Sequence, residues 1–406
     1  MLLLSVTRFF GAILSAVILA VAAYLLWTWY RGAWLVDPVG ALIHLREPWR
    51  LWTGGGMLAW SFLGRLLLPL VLARSGGRPS LARHGEGETI RGMSGSTLYV
   101  ERCGRAGAPV IVFTHGWGMD STFWSYAKRD LADRFQLVLW DLPGLGRSKL
   151  RPGGEVCLPD MAADLRGLIE RQGRPVVLVG HSIGGMTIQT LVRDHPQVLN
   201  WVAGVVLLNT TDTNPLRTMI FAPLLLALQK PVLEPLMRLT ALLHPLVWLS
   251  KWQSYLSGSQ HAAMRLGFGK FVTRSQLNHA ALLATRAPPR VEAHGDLAML
   301  HWDATGALER FRKPVLVIGG DMDIVTKLEA SRIIAADAPK GTLQVVEGVN
   351  HMGPLEQSEI YNQAIAAFAL SVQPSATKDL RDPSQVEVNG DARAVAREPR
   401  GIEPSA

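Results

Sequence analysis

The chain has 406 residues and a net charge of +8. Hydrophobic residues make up 48% and charged ones only 18%, and the mean hydropathy is positive at +0.17, more apolar than a soluble enzyme of this size needs; the length suits one core domain plus additions. Two cysteines, Cys103 and Cys157, are too few to imply a disulfide framework and leave the redox compartment open. The basic excess does not mark a nucleic-acid binder, because the basic residues are interleaved with long aliphatic runs.

Residues 1–35 read as a transmembrane anchor. From Phe9 to Tyr30 no charge or proline interrupts the run, which as a helix reaches about 33 Å, enough for a hydrocarbon core of about 30 Å. Arg8 and Arg31 bracket it, and Tyr24, Trp27, Trp29, Tyr30 and Trp34 cluster at its far end like an interfacial belt. A cleaved signal peptide ending at Ala20-Val21-Ala22 is the rival, but the apolar run continues well past that site. Residues 36–87 form a membrane-proximal segment. Its apolar stretch Met57–Ala73 has Arg65 at the centre and Pro69 beyond it, and is expected to lie in the interface with Arg65 snorkelling, or to return as the second arm of a hairpin. Arg31, Arg46 and Arg50 follow a single span against Arg8 before it; in a hairpin, Arg74, Arg78 and Arg83 join Arg8. Either count places the following domain in the cytoplasm.

Residues 88–212 open a core of buried strands. Val110-Ile111-Val112-Phe113-Thr114 ends in His115-Gly116-Trp117-Gly118, and Leu137-Val138-Leu139-Trp140-Asp141 is closed by Leu142-Pro143-Gly144-Leu145-Gly146-Arg147-Ser148. Val176-Val177-Leu178-Val179 runs into Gly180-His181-Ser182-Ile183-Gly184-Gly185, after which a helical pattern resumes. A serine on so tight a strand-to-helix turn is forced into strained geometry that flanking glycines make room for. Its hydroxyl stands at a helix amino end, where free N–H groups favour developing negative charge. Val205–Asn209 is a further strand, with Asp212 just after it.

Residues 213–300 are expected to be a helical cap. They include the apolar run Met219–Leu228 and a nearly apolar Val232–Trp252, with nine Lys/Arg against three Asp/Glu. Lipid-facing helices with a basic rim would have this composition, as would a cap that lines an acyl pocket. The core resumes over 301–372, where Val315–Ile318 leads to Gly319-Gly320-Asp321-Met322-Asp323 and Val345-Val346 to Glu347-Gly348-Val349-Asn350-His351. Residues 373–406 lack aromatic side chains and read as a disordered tail.

Five motifs in this order resemble the α/β-hydrolase family over roughly residues 88–372, in particular its serine esterase and lipase-like members with a helical cap. The resemblance implies a mostly parallel eight-stranded sheet, helices on both faces, and a cap inserted after the sixth strand. It implies Ser182 as nucleophile, His351 as base and Asp323 as the acid that orients it, with Asp321 and Asp212 as weaker alternatives. Main-chain N–H groups of Trp117 and Ile183 would form the oxyanion hole. Members with aspartate at the elbow, the haloalkane dehalogenases and soluble epoxide hydrolases, are disfavoured by Ser182. The expected activity is hydrolysis of carboxylic esters of hydrophobic acyl chains, without cofactor or metal, on a membrane lipid or another hydrophobic ester. A carbon–carbon bond hydrolase, a perhydrolase and a non-catalytic ligand-binding protein of the same fold are the alternatives. His115 and His181 are expected to hold loops and packing, and Asp120 and Asp141 to cap turns. His195, His244, His261, His279, His294 and His301 lack metal-ligand spacing, and nothing in the pattern sets an oligomeric state.

Overall fold

The computed structural model describes residues 2–77 and 82–373. The tail expected at 373–406 therefore lies, from residue 374 onward, outside the described residues. The amino terminus forms helix α1 (Leu2–Arg31), a short antiparallel hairpin of β1 (Ala33–Val36) and β2 (Leu42–Leu45), and helix α2 (Pro48–Leu72). Asp37 makes the hairpin turn, its Oδ1 accepting from the Val39 and Ala41 N–H groups. Two helical stretches, Ile13–Arg31 and Pro48–Leu72, are long and apolar enough to cross a bilayer. They run antiparallel: Gly54 of α2 packs on Ala22, Leu25 and Leu26 of α1.

The stretch Met57–Ala73, expected as an interfacial helix or as the second arm of a hairpin, belongs to α2 up to Leu72. The helix starts nine residues earlier and packs along α1, as the second arm of a hairpin would, and it carries Arg65. Its guanidinium sits 5.6 Å from the ring centroid of Tyr255, far along the chain. An aromatic face takes the cation, a contact that nothing in the local sequence marks.

An eight-stranded sheet forms the centre of the molecule. Its strands are β3 (Gly87–Arg91), β4 (Thr97–Gly104), β5 (Val110–Thr114), β6 (Gln136–Trp140), β7 (Val176–His181), β8 (Val202–Leu208), β9 (Val315–Gly320) and β10 (Gly341–Val346). Their order is β10-β9-β8-β7-β5-β6-β4-β3. All pairs are parallel except β3–β4 and β4–β6. Every residue of β5, β7 and β9 is buried, which explains their unbroken apolar runs, since a strand covered on both faces has no polar alternation. The last strand lies earlier than the run Val345–His351 suggests. As an edge strand β10 exposes part of its length, so Gly341-Thr342-Leu343-Gln344 carries little apolar signal and residues 347–351 are loop.

Helices α3 (Ser125–Leu131), α4 (Leu158–Glu170) and α5 (Ile183–Asp194) follow β5, β6 and β7. Between β8, the sixth strand of the sheet, and β9 come α6 (Pro215–Thr218), α7 (Ala222–Leu228), a π-turn at Gln229–Leu233, α8 (Glu234–Leu242), α9 (His244–Ser257), α10 (Ser259–Arg265), α11 (Arg274–Arg286) and α12 (Pro289–Leu300). The chain ends its described part with α13 (Leu328–Asp337), α14 (Gly353–Glu356) and α15 (Ser358–Val372). Helix α3 packs with α15 and α4 with α5, giving one helical layer on each face of the sheet. A second, smaller apolar cluster joins Leu216, Leu225, Leu233 and Met237 to Leu300 and Val325 beneath the inserted helices.

Candidate active site

The turn between β7 and α5 is as tight as its sequence implies. Ser182 has φ 53° and ψ −119°, a region that non-glycine residues rarely enter. It persists because α5 starts directly against β5: a Cβ on Gly184 would run into the Thr114 carbonyl. The Ser182 N–H donates to the Leu208 carbonyl of β8, and its own carbonyl receives Gly185 N, Met186 N and the Thr210 hydroxyl. The elbow is thus tied to both neighbouring strands.

The loops after β9 and β10 bring two distant side chains to this serine. His351 Nε2 is 3.1 Å from Ser182 Oγ, and His351 Nδ1 is 3.0 Å from Asp323 Oδ2. All three residues are buried. Burial by itself pushes the Asp323 carboxyl up, yet the His351 imidazole and the donors around it win, and its pKa falls to about 2. Those donors include Asn209 Nδ2 and Thr326 Oγ1 on Oδ2, and Val325 N and Thr326 N on Oδ1. An ionised Asp323 accepts the Nδ1 proton, which leaves the Nε2 lone pair facing the serine hydroxyl.

Around this trio the histidines divide as their sequence context suggests. His181 is fully buried, stacks on Phe123 and donates from Nε2 to the His351 carbonyl at 2.9 Å. Burial and the neighbouring His351 lower its pKa to about 3, so it stays neutral and holds backbone. His115 Nδ1 meets the Gly116 carbonyl at 2.8 Å while Nε2 accepts from Leu142 N, joining the loops after β5 and β6. Burial also lowers its pKa. Turning the Gly116 carbonyl toward His115 sends the Trp117 N–H the opposite way, because both belong to one planar trans peptide. The Trp117 indole is anchored separately, Nε1 donating to the Glu292 carbonyl of α12. Ile183 is the first residue of α5, so its N–H has no acceptor within the helix.

The alternative acids stand elsewhere. Asp321 is exposed and its Oδ1 accepts from Val349 N across the loop. Asp212 is buried beyond β8, where its carbonyl accepts from Ala304 N, and burial raises its pKa. Asp120 caps the turn at Ser121–Trp124 through Thr122 N, and Asp141 accepts from Ser121 N and Arg147 N.

Sequence reasoning missed three supporting groups. Asn209, itself at φ 44°, donates to Asp323 and to the Asn350 carbonyl, and its Oδ1 receives the Tyr361 hydroxyl at 2.8 Å. Thr326 was also unmarked. The only signal available was an asparagine ending an otherwise apolar strand. His84 is a further surprise: its Nε2 lies 3.3 Å from Asp141 Oδ2 and 3.8 Å from Asp120 Oδ2. Burial opposes its protonation, but the two carboxylates outweigh burial and raise its pKa. With both carboxylates already taken by backbone donors, this trio works as a clamp between the two loops.

A cavity lies beside Ser182, lined by Met186, Leu216, Met299, Leu300 and Val325 together with Thr210 and Thr326. The space open to a water-sized sphere is about 10 Å³, room for roughly one water. Its walls are largely apolar and come from α5, the inserted helices and the loop after β9.

Fold and site together define an α/β hydrolase. The chain belongs to the alpha/beta hydrolase family, whose model matches residues 111–364. It is 37% identical over 104 residues to a pimeloyl-(acyl-carrier protein) methyl ester esterase of Aeromonas hydrophila, a match covering 26% of this chain and 39% of that protein. An esterase of the same name from Yersinia pseudotuberculosis is 25% identical over 280 residues, covering 67% of this chain and 97% of the relative. Among solved structures, an esterase from Thermogutta terrifontis superposes with a TM-score of 0.58 at 24% identity, over 71% of this chain and 99% of the other, a likeness of fold.

Proposed function

We propose that the protein is a membrane-anchored serine hydrolase that cleaves carboxylic esters of hydrophobic acyl chains through an acyl-enzyme intermediate. The observation that carries this reading is the unbroken hydrogen-bonded line from Ser182 Oγ through His351 to an ionised Asp323. Ser182 Oγ attacks the ester carbonyl carbon while His351 Nε2 takes its proton; Asp323 stabilises the imidazolium. The carbonyl oxygen becomes an oxyanion beside the N–H groups of Ile183 and Trp117. As the tetrahedral intermediate collapses, the carbon–oxygen bond to the leaving group breaks, and His351 returns the proton to release the alcohol. Water, deprotonated by His351, then attacks the acyl-enzyme and frees the acid, restoring Ser182.

The apolar lining from Leu216, Met299, Leu300 and Val325 supports a hydrophobic acyl group. Residues 213–300 would serve as the cap over it, between the two core parts 88–212 and 301–372. The apolar helices α1 and α2 support anchoring, and with both ends of the hairpin at the domain, Arg8, Arg74, Arg78 and Arg83 outnumber Arg31, Arg46 and Arg50 at the tip, which favours a cytoplasmic domain.

Hydrolysis of p-nitrophenyl esters of graded chain length in heavy-oxygen water tests the reaction. The expected result is one heavy oxygen in the released acid and none in the alcohol; label in the alcohol, or fragments from a cleaved carbon–carbon bond, would overturn it. Asn209→Ala is expected to lower kcat by roughly tenfold, the equivalent of one charge-assisted hydrogen bond, with KM little changed. Tyr361→Phe should do less, since Tyr361 reaches Asp323 only through Asn209. Steady-state kinetics of both variants check the order.

A further inference from the structure

The inserted helices do not stand clear of the membrane hairpin. Ser15, midway along α1, lies 2.8 Å from Ser257 Oγ and 2.7 Å from Ser259 Oγ at the α9–α10 junction. On α2 the matching point is Gly64, where a Cβ would collide with the Ser257 carbonyl; Gly258 in turn sits against Leu68 and the Gly64 carbonyl. Arg65 over Tyr255 completes the contact. At the domain end the chain is tied to the same elements, with Arg265 Nε donating to the Leu72 carbonyl and Arg74 N to the Val272 carbonyl.

The opposite end of the hairpin carries a water-interface signature. Arg31, Arg46 and Arg50 lie over Trp27, Trp29 and Trp49, with centroid distances of 5.4, 5.3 and 5.6 Å. From that tip to the contact with residues 257–259, both arms have the same reach. Ser15 to Arg31 and Pro48 to Gly64 are each sixteen residues apart, about 24 Å of helix. The hydrocarbon core measures about 30 Å. The free part of the hairpin is therefore too short to cross it, and tilting shortens the projection further. Hydrocarbon must extend past the α9–α10 junction toward the domain.

From this we infer that helices α7–α9 are themselves sunk into the leaflet nearest the catalytic domain, with lipid acyl chains covering their outer face. The composition of that face agrees. Leu224 is 58% exposed, Leu242 74%, Leu246 63% and Leu249 59%, and this surface continues into exposed Leu63, Leu66 and Leu67 of α2. The segment 213–300 also carries its excess of basic residues, suited to anionic headgroups at the rim. On the inner side of the same layer, Leu225, Leu233 and Met237 pack with Leu216, Leu300 and Val325, which line the cavity beside Ser182. A single layer of helix thus separates that cavity from hydrocarbon. Taken with the proposed hydrolase chemistry, on which this last step rests, the substrate class is an ester already dissolved in the leaflet, entering Ser182's cavity sideways between cap helices.

Spin labels on the full-length chain test the placement. With Cys103 and Cys157 replaced by serine, single cysteines are introduced as Leu63→Cys, Leu242→Cys, Leu249→Cys and Ile333→Cys and labelled with a nitroxide. The protein is reconstituted in vesicles of phosphatidylcholine and phosphatidylglycerol. Collision with dissolved oxygen is expected to exceed collision with a water-soluble nickel chelate at 63, 242 and 249, and to fall below it at 333 on exposed α13. Chelate-dominated collision at 242 and 249 would overturn the inference, and so would chelate-dominated collision at 63. These labels report depth whether or not any ester is turned over, so a failed hydrolase assignment leaves the depth result standing.

Discussion

Replacing Ser182 by alanine is expected to cut ester turnover by about a million-fold, the loss seen when the nucleophile of a serine–histidine–acid unit is removed. The size of the effect follows from the division of labour at the site. Without the hydroxyl there is no atom for the acyl group to bond to, and His351 can only assist water from a position set for a different attacker. Folding should survive. The elbow is held by backbone contacts to β5 and β8 and not by the side chain, whose neighbour at hydrogen-bond distance is His351. A melting curve beside the kinetic trace separates the two readouts: an unchanged transition with lost turnover is expected, and equal turnover in both proteins would refute the role given to Ser182.

Asp323→Asn is expected to lower kcat by about ten-thousand-fold. Five donors converge on this carboxylate, three on Oδ2 and two on Oδ1. An amide cannot satisfy them all. If its NH2 group replaces Oδ2, it meets the Asn209 amide and forces His351 to present a bare Nδ1; the proton then sits on Nε2, facing Ser182, where a lone pair is required. If it is flipped, the NH2 group confronts two backbone N–H groups. Either arrangement leaves buried donors unpaired, so the variant should also melt earlier, by an amount on the order of 1–3 kcal/mol. Asp212→Asn and Asp321→Asn serve as comparisons and should retain most activity. Should Asp212→Asn abolish turnover while Asp323→Asn retains it, the acid has been assigned to the wrong strand.

The parts of this molecule that were legible in the sequence are those where chemistry and burial act locally. Strands β5, β7 and β9 announce themselves because both faces are covered, and the Ser182 elbow because its strain demands small neighbours within two residues. Asp323 and His351 could be chosen only through their order after such strands. What stayed hidden depends on contacts between positions far apart. Asn209 meets Asp323 over 114 residues and Tyr361 over 152, with no periodicity to mark either pairing. Arg65 found Tyr255, and Ser15 found Ser257 across 242 residues, so the apolar helix α2 took a place that its own composition could not specify. The edge strands β3 and β10, and β4 beside the edge, were weak or silent for the opposite reason: partial exposure dilutes an apolar run.

The central claim is that an imidazole steadied by Asp323 makes one particular serine nucleophilic. A fluorophosphonate probe, followed by proteolysis and mass spectrometry of the adduct, reads this directly, since the reagent phosphonylates an activated serine. The account predicts an adduct on the peptide that contains Ser182, absent from Ser182→Ala and formed far more slowly in His351→Ala. No adduct on the folded wild-type protein, or an adduct on a different serine, would contradict it.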